Sequence, residues 1–411
     1  MPGGLTEIEE ARRIVLAEVE GPPDFEGVAL ADALGRTLAA DATSAEDVPG
    51  FDNSAMDGYA VRAADVATAS AESPVDLPLV GESRAGAPAA RELGAGGAIR
   101  ISTGAMVPAG ADAVVRQEDT EDAGEGVRIA VAPSPGANIR RAGEDIRSGD
   151  TVIRAGTTLG PAELGVLASI DLPRVSCARR PRVVVLCTGD ELRGPGEPLP
   201  PGGVRNSNAF TVPALARLAG AAVVAVERVP DDPEVTRRTL ERALGADAVV
   251  ICGGVSVGPH DHVRPALAEL GVTERFWGVA LRPGKPTWFG CRGATLVFGL
   301  PGNPVSAVVT FLLFVRPALL AVTGSTPDRA RATAILAEPY PKRPGRAHLV
   351  RSTLRLVPEG WEATPTGEQG SHILTSMLGA DCLAIMPSER GDLAAGERVE
   401  IELLPRLASA T

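Results

Sequence analysis

Carboxylates and glycines recur where short apolar runs stop. Val183–Cys187 runs into Thr188–Gly189–Asp190–Glu191, and Ala248–Cys252 runs into Gly253–Gly254–Val255–Ser256–Val257–Gly258, with Asp261 just beyond. Thr295–Phe298 runs into Gly299–Leu300–Pro301–Gly302–Asn303–Pro304. Glycine lets backbone N–H groups approach an anion closely, and Ser256 adds a hydroxyl donor. Glu191, Asp231 and Asp261 supply the oxygen ligands that a hard cation such as Mg²⁺ takes. Arg282–Pro283–Gly284–Lys285–Pro286 places two cations on a rigid turn, which suits an oxyanion. The chemistry suggested is that of a phosphorylated ligand held beside a divalent metal.

A second set of polar turns lies nearer the start. Asp57 sits in Asp52–Asn53–Ser54–Ala55–Met56–Asp57–Gly58, Thr103 in Ser102–Thr103–Gly104, and Asp145 in Arg140–Arg141–Ala142–Gly143–Glu144–Asp145. Each motif also has a plain structural reading. Glycine runs shape tight turns, Asp52–Ser54 has the form of an Asx turn, and Asp232 before Pro233 is a helix cap. Arginines beside acids form surface ion pairs that contribute little.

Continuous apolar runs of this length fit parallel strands buried on both faces. In such sheets ligands bind outside the carboxyl ends of the strands. The spacing predicts an α/β section over about 182–324, with helices at Asp232–Leu244 and Asn303–Leu320 and one around 208–218 that is either kinked or starts near Thr211, because Pro213 interrupts its pattern. Thr6–Val19 reads as an amphipathic helix with a Thr6/Glu9 capping box, and Val28–Leu34 as a second helix closed by Gly35. Pro161–Ile170 reads as a short helix. Residues 45–135 read as β-rich, with exposed stretches at 63–71 and 84–97, and the last 85 or so residues return to short strands such as His348–Leu356 and Arg398–Leu403. The expected architecture is an α/β domain flanked by two β-rich modules and a helical stem.

Net charge is −12 over 411 residues, which argues against nonspecific binding to nucleic acid or an anionic membrane. Only two lysines occur, Lys285 and Lys342, among 40 basic residues, so Lys285 stands out. The five cysteines form no C-x-x-C pair and read as core residues of a reducing compartment. The start of the chain lacks a signal-peptide pattern, and the apolar stretch Val305–Leu320 reads as a buried helix, not a membrane span. A cytoplasmic location is expected.

The ordered set Asp-Val-Pro-Gly-Phe-Asp-Asn-Ser-Ala-Met-Asp-Gly-Tyr-Ala-Val-Arg (47–62), Ser-Thr-Gly-Ala-Met-Val-Pro (102–108), Asn-Ile-Arg-Arg-Ala-Gly-Glu-Asp (138–145), Thr-Gly-Asp-Glu-Leu (188–192), Gly-Gly-Val-Ser-Val-Gly (253–258), Arg-Pro-Gly-Lys-Pro (282–286) and Gly-Leu-Pro-Gly-Asn-Pro-Val-Ser (299–306) resembles the molybdopterin molybdenumtransferase family, which includes bacterial MoeA and the gephyrin E domain. The resemblance spans about residues 5–405. It implies an elongated homodimer with four domains: a stem from 5–45 and 139–178, a β-rich lobe at 46–138, a molybdopterin-binding three-layer α/β domain at 179–326, and a C-terminal β-barrel at 327–411.

The reaction so implied is molybdate insertion into adenylylated molybdopterin with Mg²⁺ and release of AMP. Asp57, Thr103, Asp145, Glu191, Asp231 and Asp261 match functional positions, with Glu191 and Asp261 as metal ligands. Thr188, Gly189, Gly253, Gly254, Ser256, Arg282, Lys285, Pro301, Pro304 and Ser371 would hold the substrates. The homodimer would let Asp57, Thr103 and Asp145 complete the site from the partner subunit, and other cofactor-biosynthesis proteins are further expected partners. Two departures stand out: Arg282 where the family has Lys, and Gly278 where relatives can carry a basic residue. Two other readings stay open: a gephyrin-like scaffold, and an adenylyltransferase or CinA-type enzyme sharing only the α/β domain.

Overall fold

The computed structural model describes residues 4–20, 24–255, 261–326 and 331–405. Its central sheet has six strands in the order Ala222–Val229, Arg182–Thr188, Ala248–Cys252, Thr295–Leu300, Trp288–Arg292, Thr273–Trp277. The first four are parallel and the last two antiparallel. The apolar runs are continuous because both faces are covered. Val183, Val185, Cys187, Val250, Cys252 and Phe298 face Val212 and Ala216 of one helix and Val305–Leu319 of another. Their neighbours Val184, Leu186, Val249, Ile251 and Val297 face Leu240, Ala243, Val263 and Leu267. Period-two alternation of side chains thus builds a three-layer core from sequence that shows no alternation.

The helix Asn208–Leu218 is continuous, with Pro213 inside it. Asp232 caps the next helix, accepting from Val235 N at 2.8 Å. The helical stretch Pro304–Val322 contains a π-turn at Phe311–Val315. It is apolar and long enough to cross a membrane, but it is 78% buried and forms the centre of the core.

The β-rich lobe is a six-stranded sheet in the order Ala113–Arg116, Gly58–Val61, Ala98–Ile101, Val75–Ser83, Gly126–Ile129, Thr120–Asp122. The stretch 63–71, expected to be exposed, buries Ala63, Val66 and Ala69 in that lobe's core, as does Leu93 in 84–97. Small residues there fill space under the sheet. Three short antiparallel pairs, Phe25–Ala29 with Arg174–Ala178, Ala42–Thr43 with Thr151–Ile153, and Asn53–Ser54 with Ile139–Arg140, tie residues before the lobe to residues after it. At the C-terminus, strands Ala347–Val357, Gly360–Pro365, Arg331–Leu336, Arg398–Leu403 and Cys382–Met386 close into a barrel, the last pairing back to the first.

Three local expectations change. Residues 28–34 are not a helix: Val28 belongs to the strand Phe25–Ala29, and a short 3₁₀ turn follows at Leu30–Asp32. Pairing with Arg174–Ala178 overrides a helical pattern too short to stand alone. Thr6 does not cap a helix. It makes a parallel bridge with Val279, and the helix starts at Ile8. That helix packs Ile8, Ala11 and Val15 into the core of the α/β section, beside Phe314 and Leu319, and not into the stem.

Candidate active site

The carboxyl ends of the parallel strands open into a cavity of about 860 Å³. It is lined by Thr188, Gly189 and Glu191 from the first loop, Asp231 from the second, Gly253, Gly254 and Asp261 from the third, and Gly302, Asn303 and Pro304 from the fourth. Asn206, Ser207 and Asn208 bring in the start of a helix, whose N-terminal end carries partial positive charge. The loops pack on each other closely. Gly254 has φ +65°, and a Cβ there would lie 2.8 Å from both Thr188 Oγ1 and Val263 Cγ2. A Cβ on Gly189 would lie 2.3 Å from Glu191 Oε2, so the carboxylate folds back over that glycine.

Not every loop N–H is available to a ligand. Gly189 N donates to Val229 O at 3.1 Å and Gly253 N to Leu300 O at 3.0 Å. The N–H groups of these two glycines are committed within the fold. Ser256 lies outside the described residues. Asp190 and Asp231 lock the first two loops together: Asp190 N donates to Asp231 Oδ2 at 3.4 Å, and Asp231 N to Asp190 Oδ1 at 3.2 Å. On the cavity floor, a hydrogen bond with Cys252 holds the Cys187 thiol below its ordinary pKa, and the same bond raises that of Cys252.

Asn303 and His372 are shared with a second cavity of about 420 Å³, lined by Arg282, Lys285, Pro301, Ser306, Arg346 and Ser371. The Arg282–Pro286 turn is fixed by Thr287, whose buried hydroxyl donates to Gly284 O at 2.7 Å. Leu281–Arg282 also pairs with the barrel at Ala347–His348. Arg282 therefore stands at the seam between the α/β section and the barrel. Arg351, which sequence reasoning missed, supports the facing loop from beneath. It is fully buried, donates to Gly370 O at 3.2 Å and to Ser376 Oγ at 3.1 Å, and burial pushes its pKa down to about 10. Arg346 and Asn208 were missed too, although Arg346 follows Pro344–Gly345 in a basic turn much like Arg282–Lys285.

Gly278 lies in neither cavity. It has φ +86°, and a Cβ there would lie 3.0 Å from Leu5 Cδ2. Its carbonyl accepts from Thr6 N at 3.0 Å, so the N-terminal segment occupies its flank. Asp57, Thr103 and Asp145 are exposed on the lobe side and line neither cavity within one chain. Asp57 and Thr103 do meet: Thr103 N donates to Asp57 Oδ1 at 2.7 Å.

Among the described residues, no group of three or more His, Cys, Asp or Glu is close enough to hold a metal by itself. Mg²⁺ does not need one, because it commonly takes one or two carboxylates, waters and the substrate's phosphates. The acids in the cavity lining are Glu191, Asp231 and Asp261, and their carboxylate oxygens fit that ion.

A doubly covered α/β sheet with an acidic, glycine-lined cavity at its carboxyl edge, joined to a β lobe and a barrel, defines a multidomain α/β-plus-β protein with a ligand-sized site at that edge. Three family descriptions match in order: "MoeA N-terminal region (domain I and II)" over residues 6–170, "Probable molybdopterin binding domain" over 184–321, and "MoeA C-terminal region (domain IV)" over 333–404. The molybdopterin molybdenumtransferase of Haemophilus influenzae is 38% identical over 96% of this chain and 98% of its own. Molybdopterin molybdenumtransferase 2 of Mycobacterium tuberculosis is 38% identical over 91% of this chain and 94% of its own. The crystal structure of a molybdopterin biosynthesis MoeA protein from Pyrococcus horikoshii superposes with TM-score 0.85 at 31% identity, covering 97% of this chain and all of that one. The chain belongs to the MoeA family of molybdopterin molybdenumtransferases. Similarity extends over the lobe and the barrel, so the reading in which only the α/β domain is shared with another enzyme does not hold.

Proposed function

We propose that this protein inserts molybdenum from molybdate into adenylylated molybdopterin and releases AMP, as a step in molybdenum cofactor synthesis. One observation carries the reading. The acidic cavity that would take the pterin nucleotide lies against the smaller cavity bearing Arg282, Lys285 and Arg346, with Asn303 and His372 lining both. These three cations and the hydroxyls of Ser306 and Ser371 suit a tetrahedral oxyanion such as molybdate, which would then stand beside the dithiolene. Arg282 keeps the charge of the family's Lys, and its fork can hold two oxyanion oxygens where an ammonium holds one point.

Glu191 and Asp261, with Asp231 nearby, would hold Mg²⁺, which when bound neutralises charge developing on the phosphates. The protein's own part is positioning. Thr188 and Gly254 shape the wall against which the phosphates lie, and the N-terminal end of helix Asn208–Leu218 favours their charge. Asp57, Thr103 and Asp145 would act from the partner subunit of a homodimer, because within one chain they line neither cavity. We divide the chain into a stem (5–45 and 139–178), lobe (46–138), α/β domain (179–326) and barrel (327–411), and place the protein in the cytoplasm.

The test is direct. Protein, adenylylated molybdopterin, molybdate and Mg²⁺ are mixed, and AMP is measured by chromatography. Molybdate-dependent AMP release is the expected result; release no faster than without protein would overturn the proposal.

A further inference from the structure

A third cavity, of about 700 Å³, lies at the seam between the α/β section and the barrel. Arg282 and Arg346 line it as well as the smaller cavity described above, so the two lie against each other. Lys342, Arg343 and His348 complete its basic wall, and Asp392 is the acid in its lining. That acid is committed, since Asp392 Oδ1 accepts from Lys342 N at 2.8 Å. Lys342 is held in place too: its Nζ donates to Pro387 O at 2.7 Å and to Arg390 O at 2.6 Å. Elsewhere on the barrel arginines meet acids, Arg331 with Glu400, Arg355 with Glu362 and Arg390 with Glu397. Among the described residues no acid pairs with Arg282, Arg343 or Arg346. Their charge is felt within the barrel, where Arg282, Lys342 and Arg346 add to burial in pushing the His348 pKa down to about 4. The chain as a whole carries −12, so this basic cavity stands out against an acidic protein.

We propose that the third cavity binds a small tetrahedral dianion and concentrates it beside the smaller cavity. The inference rests on the proposed function for the identity of that ion, molybdate. A cleft lined by one sign of charge raises the local concentration of its counter-ion and speeds its arrival, and salt weakens the effect. Arg343 is exposed, and its planar fork can meet an incoming oxyanion without unpacking the barrel. Arg282 and Arg346 belong to both linings, so an ion held by them already stands at the smaller cavity. The large cavity offers no such approach, because Glu191, Asp231 and Asp261 in its lining repel a dianion.

The probe is tungstate, which has the shape and charge of molybdate. Equilibrium dialysis without pterin nucleotide counts the ions, and anomalous diffraction from tungsten places them. Wild-type protein should hold one ion in each of the two basic cavities. Arg343→Glu should weaken the ion of the third cavity by about tenfold or more. Arg398→Glu, the same charge change at an exposed barrel position outside the cavity, should not. Asp392→Asn keeps an acceptor for Lys342 N and removes a negative charge, so it should tighten that ion several-fold, a gain that damage to the fold cannot produce. At low salt kcat/KM for molybdate should fall by about fivefold or more in Arg343→Glu, and the difference should close as salt rises. A third cavity without tungsten in wild-type protein, an unchanged affinity in Arg343→Glu, or an unchanged kcat/KM for molybdate would overturn the inference. Displacement of the tungstate by equimolar phosphate or sulfate as readily as by molybdate would assign the cavity to those ions and overturn its part in molybdate supply. The ion count needs no turnover, so absence of AMP release would overturn the proposed function while the anion site stands or falls on the count.

Discussion

Asn303 Nδ2 donates to Ser371 Oγ at 3.1 Å, although the two residues are 68 positions apart and belong to the α/β section and the barrel. Ser371 answers through its backbone, its carbonyl accepting from Val305 N at 3.2 Å. Asn303 stands at the N-cap position of the helix from Pro304, but its side chain caps nothing there. An orphan donor of the helix is satisfied instead by the barrel. The wall between the two cavities is thus a two-domain structure.

Ser371→Ala removes one hydrogen bond of that strut and one hydroxyl from the oxyanion cavity. Stability should drop by no more than about 1 kcal/mol, as read by urea unfolding. The KM for molybdate should rise several-fold with KM for adenylylated molybdopterin unchanged. Equal rises in both would mean that the residue acts only on the fold.

Gly254→Ala should disrupt the first and third loops of the large cavity. The new Cβ meets Thr188 Oγ1 and Val263 Cγ2 at 2.8 Å, in a backbone region that costs alanine of order 1 kcal/mol. A loss of about 1–3 kcal/mol in unfolding free energy is expected, together with loss of nucleotide binding. Wild-type stability in this variant would show that the loops are not packed as described.

His348 is buried in the barrel, with Tyr340 Oη 3.2 Å from its Nδ1. Burial first, then the positive charges of Arg282, Lys342 and Arg346, push its pKa down to about 4 from 6.5. Between those values the unfolded chain binds the proton and the folded one does not, so stability is full above about pH 6.5 and falls as pH drops towards 4. The shift corresponds to about 3 kcal/mol at most. His348→Gln should flatten this part of the stability–pH curve relative to wild type, as measured by thermal melts across that range. Parallel curves for the two proteins would count against the buried neutral imidazole.

The proposed cross-subunit arrangement predicts complementation. Asp57→Ala and Glu191→Gln should each lower AMP release by about 100-fold or more as pure proteins. A mixed dimer of the two would contain one site carrying both changes and one carrying neither. It should recover about half the activity of a wild-type dimer. No recovery in a purified mixed dimer would place both residues in the same chain's site.

Legibility followed burial. The strands at 183–187, 248–252 and 295–298 could be read directly, because two covered faces leave no polar residue in the run. The convergence of Glu191, Asp231, Gly254 and Asp261 on one cavity follows from parallel strands ending on one edge. Elements that owe their form to distant partners could not be read. Val28 has a helical neighbourhood until Val175 pairs with it, and Thr6 resembles a cap until Val279 does. Asn303, Asn208 and Arg351 escaped for the same reason, since each makes its defining hydrogen bond to a residue far along the chain.

The placement of the first helix sets an order of events on the ribosome. Ile8, Ala11 and Val15 are made some three hundred residues before Phe314 and Leu319, which cover them. At elongation rates of about 5–20 residues per second, that amphipathic segment waits on the order of tens of seconds with its greasy stripe uncovered. The stem and lobe can be finished in the meantime. A nascent chain stalled before residue 300 should therefore leave its beginning open to protease and to chaperone capture.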